Sequence, residues 1–439
     1  MGLGAWLAKV AGTREGELKA VLLSFSYFFF LLASYFILRP LRDEMGIAAG
    51  RNNLQWLFTA TFFAMLVASP VYAFAIARLP RRTFIPLVYH FFALNLLVFW
   101  LALLSGQHRE LTAQVFFVWV SVFNLFAVSV FWSFLADLYR TEQGKRLFGF
   151  IAAGGTAGTM LGSSLTVSMA GLIGPTHLLL VAAALLEVAI VCAILLERTA
   201  RTFRAGETTP SGNDETGEKA IGGGMLDGFW LILKSPYLAG IALWVLLLSL
   251  AGTFLYFMQQ DVVRAASTDP AVRTQIFAAM DLGANILTLA LQLMVTGHVI
   301  KRLGAGPAAA ILPLVFALGF AALALAPGLA VIVAFQALQR TANFAFSNPA
   351  RELMFTAVDR QERYKSKNLI DAALFRGGDV VWSWAFAGLR GLGASMSQIA
   401  LMTVPVAVLW LALALALGRS QEKRTAGREP APEFQSARR

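Results

Sequence analysis

Apolar residues along this chain fall into long runs that are separated by short polar segments. Twelve runs are long enough to cross a bilayer, because about 20 helical residues span a hydrocarbon core roughly 30 Å thick. They lie at approximately 20–40, 54–77, 84–104, 113–138, 147–172, 176–196, 235–259, 274–299, 306–325, 329–348, 368–391 and 396–418. The runs lack the alternation of a membrane barrel, so the pattern predicts an all-α membrane protein with twelve transmembrane helices.

A polar stretch at 197–228 divides these runs into two sets of six. Its centre, at 205–214, has the Gly, Thr, Pro and Ser content of a flexible linker. The basic segment at 78–82, after the second run, is matched by the one at 301–306, after the eighth. We therefore predict an N-terminal half (1–196), a cytoplasmic linker (197–228), a C-terminal half (229–418) and a basic cytoplasmic tail (419–439). This 6+6 pseudo-repeat resembles the major facilitator fold.

Composition and charge exclude a soluble protein. The chain is 58% hydrophobic and 14% charged, and its net charge of +11 comes largely from Lys and Arg in the loops after even-numbered runs and in the tails. By the positive-inside rule, both termini and the linker face the cytoplasm of a multi-pass protein in the cell inner membrane. The expected partners are the lipid bilayer, a small-molecule substrate and a coupling ion. A nucleic-acid partner is not expected, and the expected oligomeric state is a monomer.

Charged residues within the apolar runs are the candidates for function, because each costs several kcal/mol in lipid unless it is paired or faces water. Arg39 and Arg42 share a helix face with Tyr35, and guanidinium groups suit phosphate or carboxylate. The alternative is that both arginines extend to the headgroups while Pro40 ends or kinks the helix. The predicted substrate-binding residues are Tyr35, Arg39, Arg42, Asp137, Arg340, Arg376 and Asp379.

Two further acids are candidates for coupling to an ion. Asp281 and Glu187 have no obvious partner on their own helices, so each is either a protonatable coupling site or is paired across helices. The small residues at 283–284 next to Asp281 leave room for a cavity and favour that residue. Arg376 and Asp379, in contrast, are three residues apart and are able to neutralise each other.

Other sequence features indicate packing rather than chemistry. Gly154, Gly158 and Gly162 in the fifth run are spaced for close helix packing, and no phosphate-binding motif follows them. The single cysteine, Cys192, lies in an apolar run. Because the motifs of common hydrolases are absent as well, we expect no enzymatic activity, no metal and no cofactor.

Three segments give the chain a family likeness. The first is Ile37-Leu38-Arg39-Pro40-Leu41-Arg42-Asp43. The second begins at Phe131-Trp132-Ser133-Phe134 and continues through Asp137, Arg140, Glu142, Lys145 and Arg146, and the third comprises Arg351, Glu352, Asp359, Lys365, Lys367, Ile370 and Asp371. In these segments the chain resembles the nucleotide transporter family of plastids and intracellular bacteria, the ATP:ADP antiporters related to the major facilitator fold.

The resemblance implies a nucleotide carrier, with charged residues in spans 1, 4, 7 and 11 that matter for transport. Arg42 and Asp137 keep the charges of the first two spans. Gly252 and Tyr256 occupy the span 7 positions where the family carries an acid and a base, and Asp379 stands where a lysine is expected. These departures predict a solute less highly charged than ATP.

The sequence as a whole predicts a secondary active transporter that works by alternating access. The expected cargo is an organic anion such as a nucleotide or a phosphorylated metabolite, held by Arg39 and Arg42 with Arg340 or Arg376 opposite. One alternative is a proton-coupled exporter of drug-like or lipid-like molecules that uses Asp281 or Glu187. Another is a non-transporting membrane scaffold or sensor, which has no need of so many intramembrane charges.

Overall fold

The computed structural model describes Thr13 and residues 17–50, 52–78, 80–139, 141–206 and 225–426, and within these ranges the regular structure is entirely helical. The α-helices are α1 (Leu18–Ala48), α2 (Leu54–Arg78), α3 (Arg81–Ser105), α4 (Arg109–Leu138), α5 (Thr141–Ile173), α6 (Leu178–Gly206), α7 (Met225–Lys234), α8 (Pro236–Ala266), α9 (Pro270–Leu291), α10 (Gly297–Leu303), α11 (Ala305–Leu325), α12 (Leu329–Ala342), α13 (Asn348–Thr356), α14 (Arg360–Asn368), α15 (Phe375–Gly391) and α16 (Met396–Ala426). Single π-helical turns at Gln292–Thr296, Asn343–Ser347 and Leu369–Leu374 join neighbouring helices into longer rods.

The predicted membrane-spanning helices are present. Across the described residues, eleven helices are long and apolar enough to cross a membrane. The remaining predicted span, at 368–391, is helical too, but Asp371, Arg376 and Asp379 make it less apolar than the others. The all-α prediction is therefore confirmed for the described residues, and the eleventh predicted span is distinguished by its charges.

Several helices extend beyond the apolar runs that predicted them. Pro40 lies inside α1, which continues to Ala48, so Arg39 and Arg42 are on a continuous helix rather than at its end. The helix α6 reaches Gly206 and α16 reaches Ala426, so the beginnings of the predicted linker and tail are helical. The rest of the linker up to residue 224, and the tail after 426, lie outside the described residues.

The chain forms two compact units. One contains Met1–Asp214 together with Val263–Ile286, and the other contains Glu215–Val262 together with Leu287–Arg439. The hairpin that joins α8 to α9 therefore belongs to the first unit. In that unit α1 packs against α4, α5 and α6, and its buried residues include Leu31, Ile37 and Leu38.

Close packing of α1 against α5 depends on glycine. A Cβ added at Gly158 would lie 2.1 Å from the carbonyl oxygen of Phe29, and one at Gly162 would lie 2.3 Å from that of Ala33. No side chain fits at such distances, so the two backbones are in direct contact. The prediction that small residues in the fifth run mediate helix packing is confirmed.

The N-terminal end of α1 is tied to the beginning of α5. Arg146 donates to Glu17 with 2.8 Å between Nη2 and Oε2, and the hydroxyls of Ser24 and Tyr139 are 2.9 Å apart. Burial raises the pKa of Tyr139 to about 12, so its hydroxyl keeps its proton at physiological pH.

In the second unit, α11 and α16 make the equivalent close contact. A Cβ at Gly418 would lie 2.1 Å from the Cα of Gly306. The rings of Trp244 and Trp410 are buried beside them, with 5.6 Å between centroids.

Candidate functional site

The first cluster of intramembrane charges is centred on α1. Arg39 Nη1 lies 3.3 Å from Asp281 Oδ1, and the two side chains are 23% and 4% exposed. Asp281 is on α9, within the same unit as α1. Thus Arg39, predicted to bind substrate, and Asp281, predicted to act in coupling, form one ion pair. The positions of the two residues along their own helices do not indicate this pairing.

Arg42, one turn further along α1, is held by different groups. Its Nη2 lies 3.1 Å from Asp43 Oδ1, its Nη1 is 3.4 Å from Ser121 Oγ, and its guanidinium carbon is 4.7 Å from the centre of the Phe117 ring. The side chain is 20% exposed. An arginine that extends to lipid headgroups leaves its guanidinium exposed. Arg39 and Arg42 instead pack against protein groups, which differs from the alternative in which they extend to the headgroups.

Tyr35 is part of an aromatic cluster at the same level of α1. Its ring centroid is 5.5 Å from that of Phe36 and 6.4 Å from that of Phe123. Arg39 lies over the Phe36 ring at 5.6 Å, so the aromatic side chains form an apolar wall beside the guanidinium group.

Two more contacts link the end of α1 to residues 263–286. Glu44 accepts a hydrogen bond from Arg273 with 2.7 Å between Oε1 and Nη2, and these side chains are 1% and 12% exposed. Arg264 donates to the carbonyl oxygen of Ile47 at 3.2 Å. Glu44 and Arg273 are not among the predicted site residues, although an acid about one turn before the end of an apolar helix is itself a signal of a buried pair.

The second cluster lies in the second unit and is centred on Asp379 of α15. Ser249 donates to Asp379 Oδ1 at 2.7 Å, and Thr253 Oγ1 is 3.4 Å from the same oxygen. Arg376 Nη1 is 3.8 Å from Asp379 Oδ2, at the limit of an ion pair. Asp379 is therefore held more closely by hydroxyl groups of α8 than by the arginine on its own helix. Arg376 itself is 46% exposed.

The remaining predicted site residues are on α4, α6 and α12. Asp137 is exposed near the end of α4, and it lies sixteen residues beyond Ser121, about 24 Å along the helix. The structure thus does not bring Asp137 to Arg42. Arg340 is partly exposed on α12 of the second unit. Glu187 is paired with His90 on the surface of the first unit.

The third segment of the family likeness is held together by its own charges. Arg351 Nη1 lies 3.0 Å from Asp371 Oδ1, and Lys367 Nζ lies 2.6 Å from Glu352 Oε2. These ion pairs connect α13 to α14 and to the π-helical turn that follows it. In this structure the four side chains hold the two helices of a hairpin together.

Comparisons with known proteins confirm the predicted major facilitator fold. The sequence model described as "Major Facilitator Superfamily" matches residues 20–364. No curated protein matches the chain in sequence. The nucleotide transporter family is thus not confirmed by these comparisons, and that finer resemblance stays a prediction.

Solved structures of several transporters are similar to the chain. A mutant of the nucleoside transporter NupG has a TM-score of 0.63 at 14% identity, covering 93% of this chain and 100% of that one. An auto-inhibited POT family peptide transporter has a TM-score of 0.59 at 11% identity, covering 95% and 99%. A bacterial homolog of the human lysosomal transporter Spinster, inward-facing and unoccupied, has a TM-score of 0.58 at 15% identity, covering 96% and 100%. At such identities the likeness shows the fold and does not select a substrate.

Proposed function

Because the chain belongs to the Major Facilitator Superfamily, we propose that it is a secondary active transporter for an organic anion such as a nucleotide or a phosphorylated metabolite. The family and the membrane-spanning helices make it a multi-pass membrane transporter rather than an enzyme. The choice of an anion comes from the charged residues of α1.

The ion pair between Arg39 and Asp281 is the observation that carries this proposal. Arg39 Nη1 lies 3.3 Å from Asp281 Oδ1, and both side chains are largely buried. A guanidinium group that binds a carboxylate of the protein is suited to bind a carboxylate or phosphate of a substrate as well. Asp281 would then be an internal competitor, which an arriving anion displaces from Arg39.

Displacement of Asp281 would also provide coupling. A carboxylate that is 4% exposed and has lost its arginine is costly in its charged form, and uptake of a proton removes that cost. Substrate binding at Arg39 would therefore be accompanied by proton binding at Asp281. In this scheme Arg42, which is held by Asp43 and Ser121, supplies a second positive charge on the same helix.

We expect Asp379, a predicted substrate-binding residue of the second unit, to disfavour a cargo with many negative charges. Its carboxylate is fixed by Ser249, and a multiply charged phosphate group near it would be repelled. Arg340 and Arg376 remain candidates for substrate contact. We therefore propose a solute with fewer negative charges than ATP, which differs from the cargo that the family resemblance implies.

A binding screen followed by counterflow tests the proposal. The purified carrier would be heated with nucleoside mono-, di- and triphosphates, sugar phosphates, organic acids and cationic drugs. A ligand at 100 times its dissociation constant stabilises by about 2.7 kcal/mol. We expect an organic anion to stabilise the wild type and an Arg198→Ala control, whose side chain is exposed on α6, but not the Arg39→Ala variant.

The same screen separates the alternatives. Stabilisation and transport of cationic drugs alone would contradict the anion proposal and support the exporter. A protein that transports none of these classes in proteoliposomes, with both termini and linker intact, would support a scaffold or sensor.

A further inference from the structure

A histidine and a glutamate form a polar pair on the surface of the first unit. His90 Nδ1 lies 3.1 Å from Glu187 Oε1, and the two side chains are 53% and 47% exposed. His90 is on α3 and Glu187 is on α6, which pack against each other. Both residues are inside candidate membrane spans, at Thr83–Ser105 and Leu178–Thr199. Measured along the helices, Glu187 is about 2 Å and His90 about 6 Å from the middle of its span.

The surroundings of this pair are apolar. On α3, Leu87, Phe91 and Leu94 are 55%, 58% and 61% exposed, and on α6, Val188 and Val191 are 40% and 53% exposed. Large apolar side chains cover a surface that faces lipid, not one that lines water. A carboxylate and an imidazole exposed at this depth are costly in hydrocarbon, and contact with another protein surface removes that cost.

We propose that α3 and α6 form the interface of a homodimer, with the second copy of the chain related by a two-fold axis along the membrane normal. The patch is self-complementary, because it carries one imidazole and one carboxylate. In a two-fold contact, His90 of each copy faces Glu187 of the other, and both polar groups leave the lipid. The proposed dimer differs from the monomer expected from the sequence, and it gives Glu187 a role outside coupling.

The spacing of exposed side chains on α3 fits helix pairing. Leu87, Phe91, Leu94, Val98 and Leu101 are separated alternately by four and three residues, and each is between 55% and 61% exposed. This is the 3.5-residue period of a seam between two left-handed, supercoiled helices. Burial of apolar surface provides no driving force in lipid, so polar contacts across the seam supply the affinity and fix the register.

Single-molecule photobleaching of the labelled, full-length carrier in lipid vesicles at low density tests the dimer. We expect two bleaching steps for the wild type and one for the His90→Leu/Glu187→Leu double variant. Loss of two symmetric polar contacts should weaken dimerisation by about tenfold to a hundredfold. The exchanged variant, His90→Glu/Glu187→His, keeps a self-complementary patch and should recover two steps.

Cysteine crosslinking provides an independent measurement. In a Cys192→Ser background, which removes the buried cysteine of the chain, Leu94→Cys should form a disulfide-linked dimer in native membranes. The matched control is Leu318→Cys on α11, which is 63% exposed and should stay monomeric.

Three outcomes overturn the proposal. They are a single bleaching step for the wild type, an unchanged dimer in the double leucine variant, or equal crosslinking at Leu94→Cys and Leu318→Cys. The double variant places apolar groups in lipid, so its thermal midpoint should not fall, and this separates dissociation from misfolding. These measurements do not involve substrate, so they test the dimer independently of the anion proposal.

Discussion

Arg39 on α1 and Asp281 on α9 are each other's partners, with 3.3 Å between Nη1 and Oδ1. In the sequence each residue is a charge in an apolar run, and its spacing does not identify the other as its partner. Removing either one breaks the ion pair and leaves the other charge in a largely buried place without that partner. Effects of substitution on stability must therefore be measured beside effects on transport.

Asp281→Asn is expected to lower the free energy of unfolding by about 3–5 kcal/mol, because it leaves Arg39 without its carboxylate. The Arg39→Leu/Asp281→Leu double variant should recover most of that loss, since both charges are removed. The more exposed pair Lys367–Glu352 serves as the control, where Lys367→Ala should cost no more than about 1 kcal/mol. Unfolding of the purified carrier in detergent measures each value, and an Asp281→Asn variant as stable as wild type would contradict the pairing.

Arg39→Ala and Arg42→Ala are expected to abolish or strongly weaken anion binding at normal expression. The lysine variants at the same positions keep the charge but lose the two-pronged geometry, so they should retain part of the affinity. Counterflow of the anion found in the thermal screen provides the measurement. Normal transport by both alanine variants would show that the two arginines only pack against protein groups and do not bind the cargo.

The wild-type carrier is expected to exchange ATP for ADP poorly. A carboxylate about 4 Å from a phosphate charge opposes binding by about 4 kcal/mol at an effective dielectric of 20, and a triphosphate carries several such charges. Asp379→Asn should therefore raise ATP uptake relative to uptake of a nucleoside monophosphate. The comparison uses labelled nucleotides in proteoliposomes, with Lys367→Ala as a control. Robust ATP:ADP exchange by the wild type would rule out this effect of Asp379.

Reporter fusions test the predicted orientation. Fusions at Thr208 and after Ala426 should behave as cytoplasmic, and one at His108, between α3 and α4, should behave as periplasmic. A periplasmic signal at Thr208 or Ala426 would be incompatible with twelve spans and two cytoplasmic termini.

Gly158→Ala is expected to destabilise the carrier, since the added Cβ would lie 2.1 Å from the carbonyl oxygen of Phe29. Displacing α5 from α1 to make room should cost about 1–3 kcal/mol. Gly149→Ala on the same helix adds a Cβ with no atom within 4 Å, so it should be neutral or slightly stabilising. Equal thermal midpoints for the two variants would disprove the close contact.

The positions of the helices follow from the sequence, because a bilayer demands apolar runs of a defined length. The run at 20–40, for example, corresponds to α1 at Leu18–Ala48. The helix is longer than the apolar run because helices continue past the hydrocarbon core, where hydropathy gives no signal. Proline was a poor guide as well, since Pro40 is accommodated within α1.

Partners within the candidate sites could be predicted only in part. Charged residues were recognisable individually, since each is costly in lipid, but the pairing of Arg39 with Asp281 depends on which helices meet. Ser249 and Thr253 were not recognised, because hydroxyl groups in membrane helices commonly bond to their own backbone. Only the fold brings them to Asp379.

Direct backbone contact between α1 and α5 limits how Arg39 is able to leave Asp281. Gly158 and Gly162 meet the carbonyl oxygens of Phe29 and Ala33 without a side chain between them, so turning α1 about its own axis would drive atoms of one backbone into the other. Close contact between the backbones of α1 and α5 therefore opposes rotation of α1 about its axis. The freedom to separate the two charges therefore belongs to the Arg39 side chain and to the segment of α9 that carries Asp281.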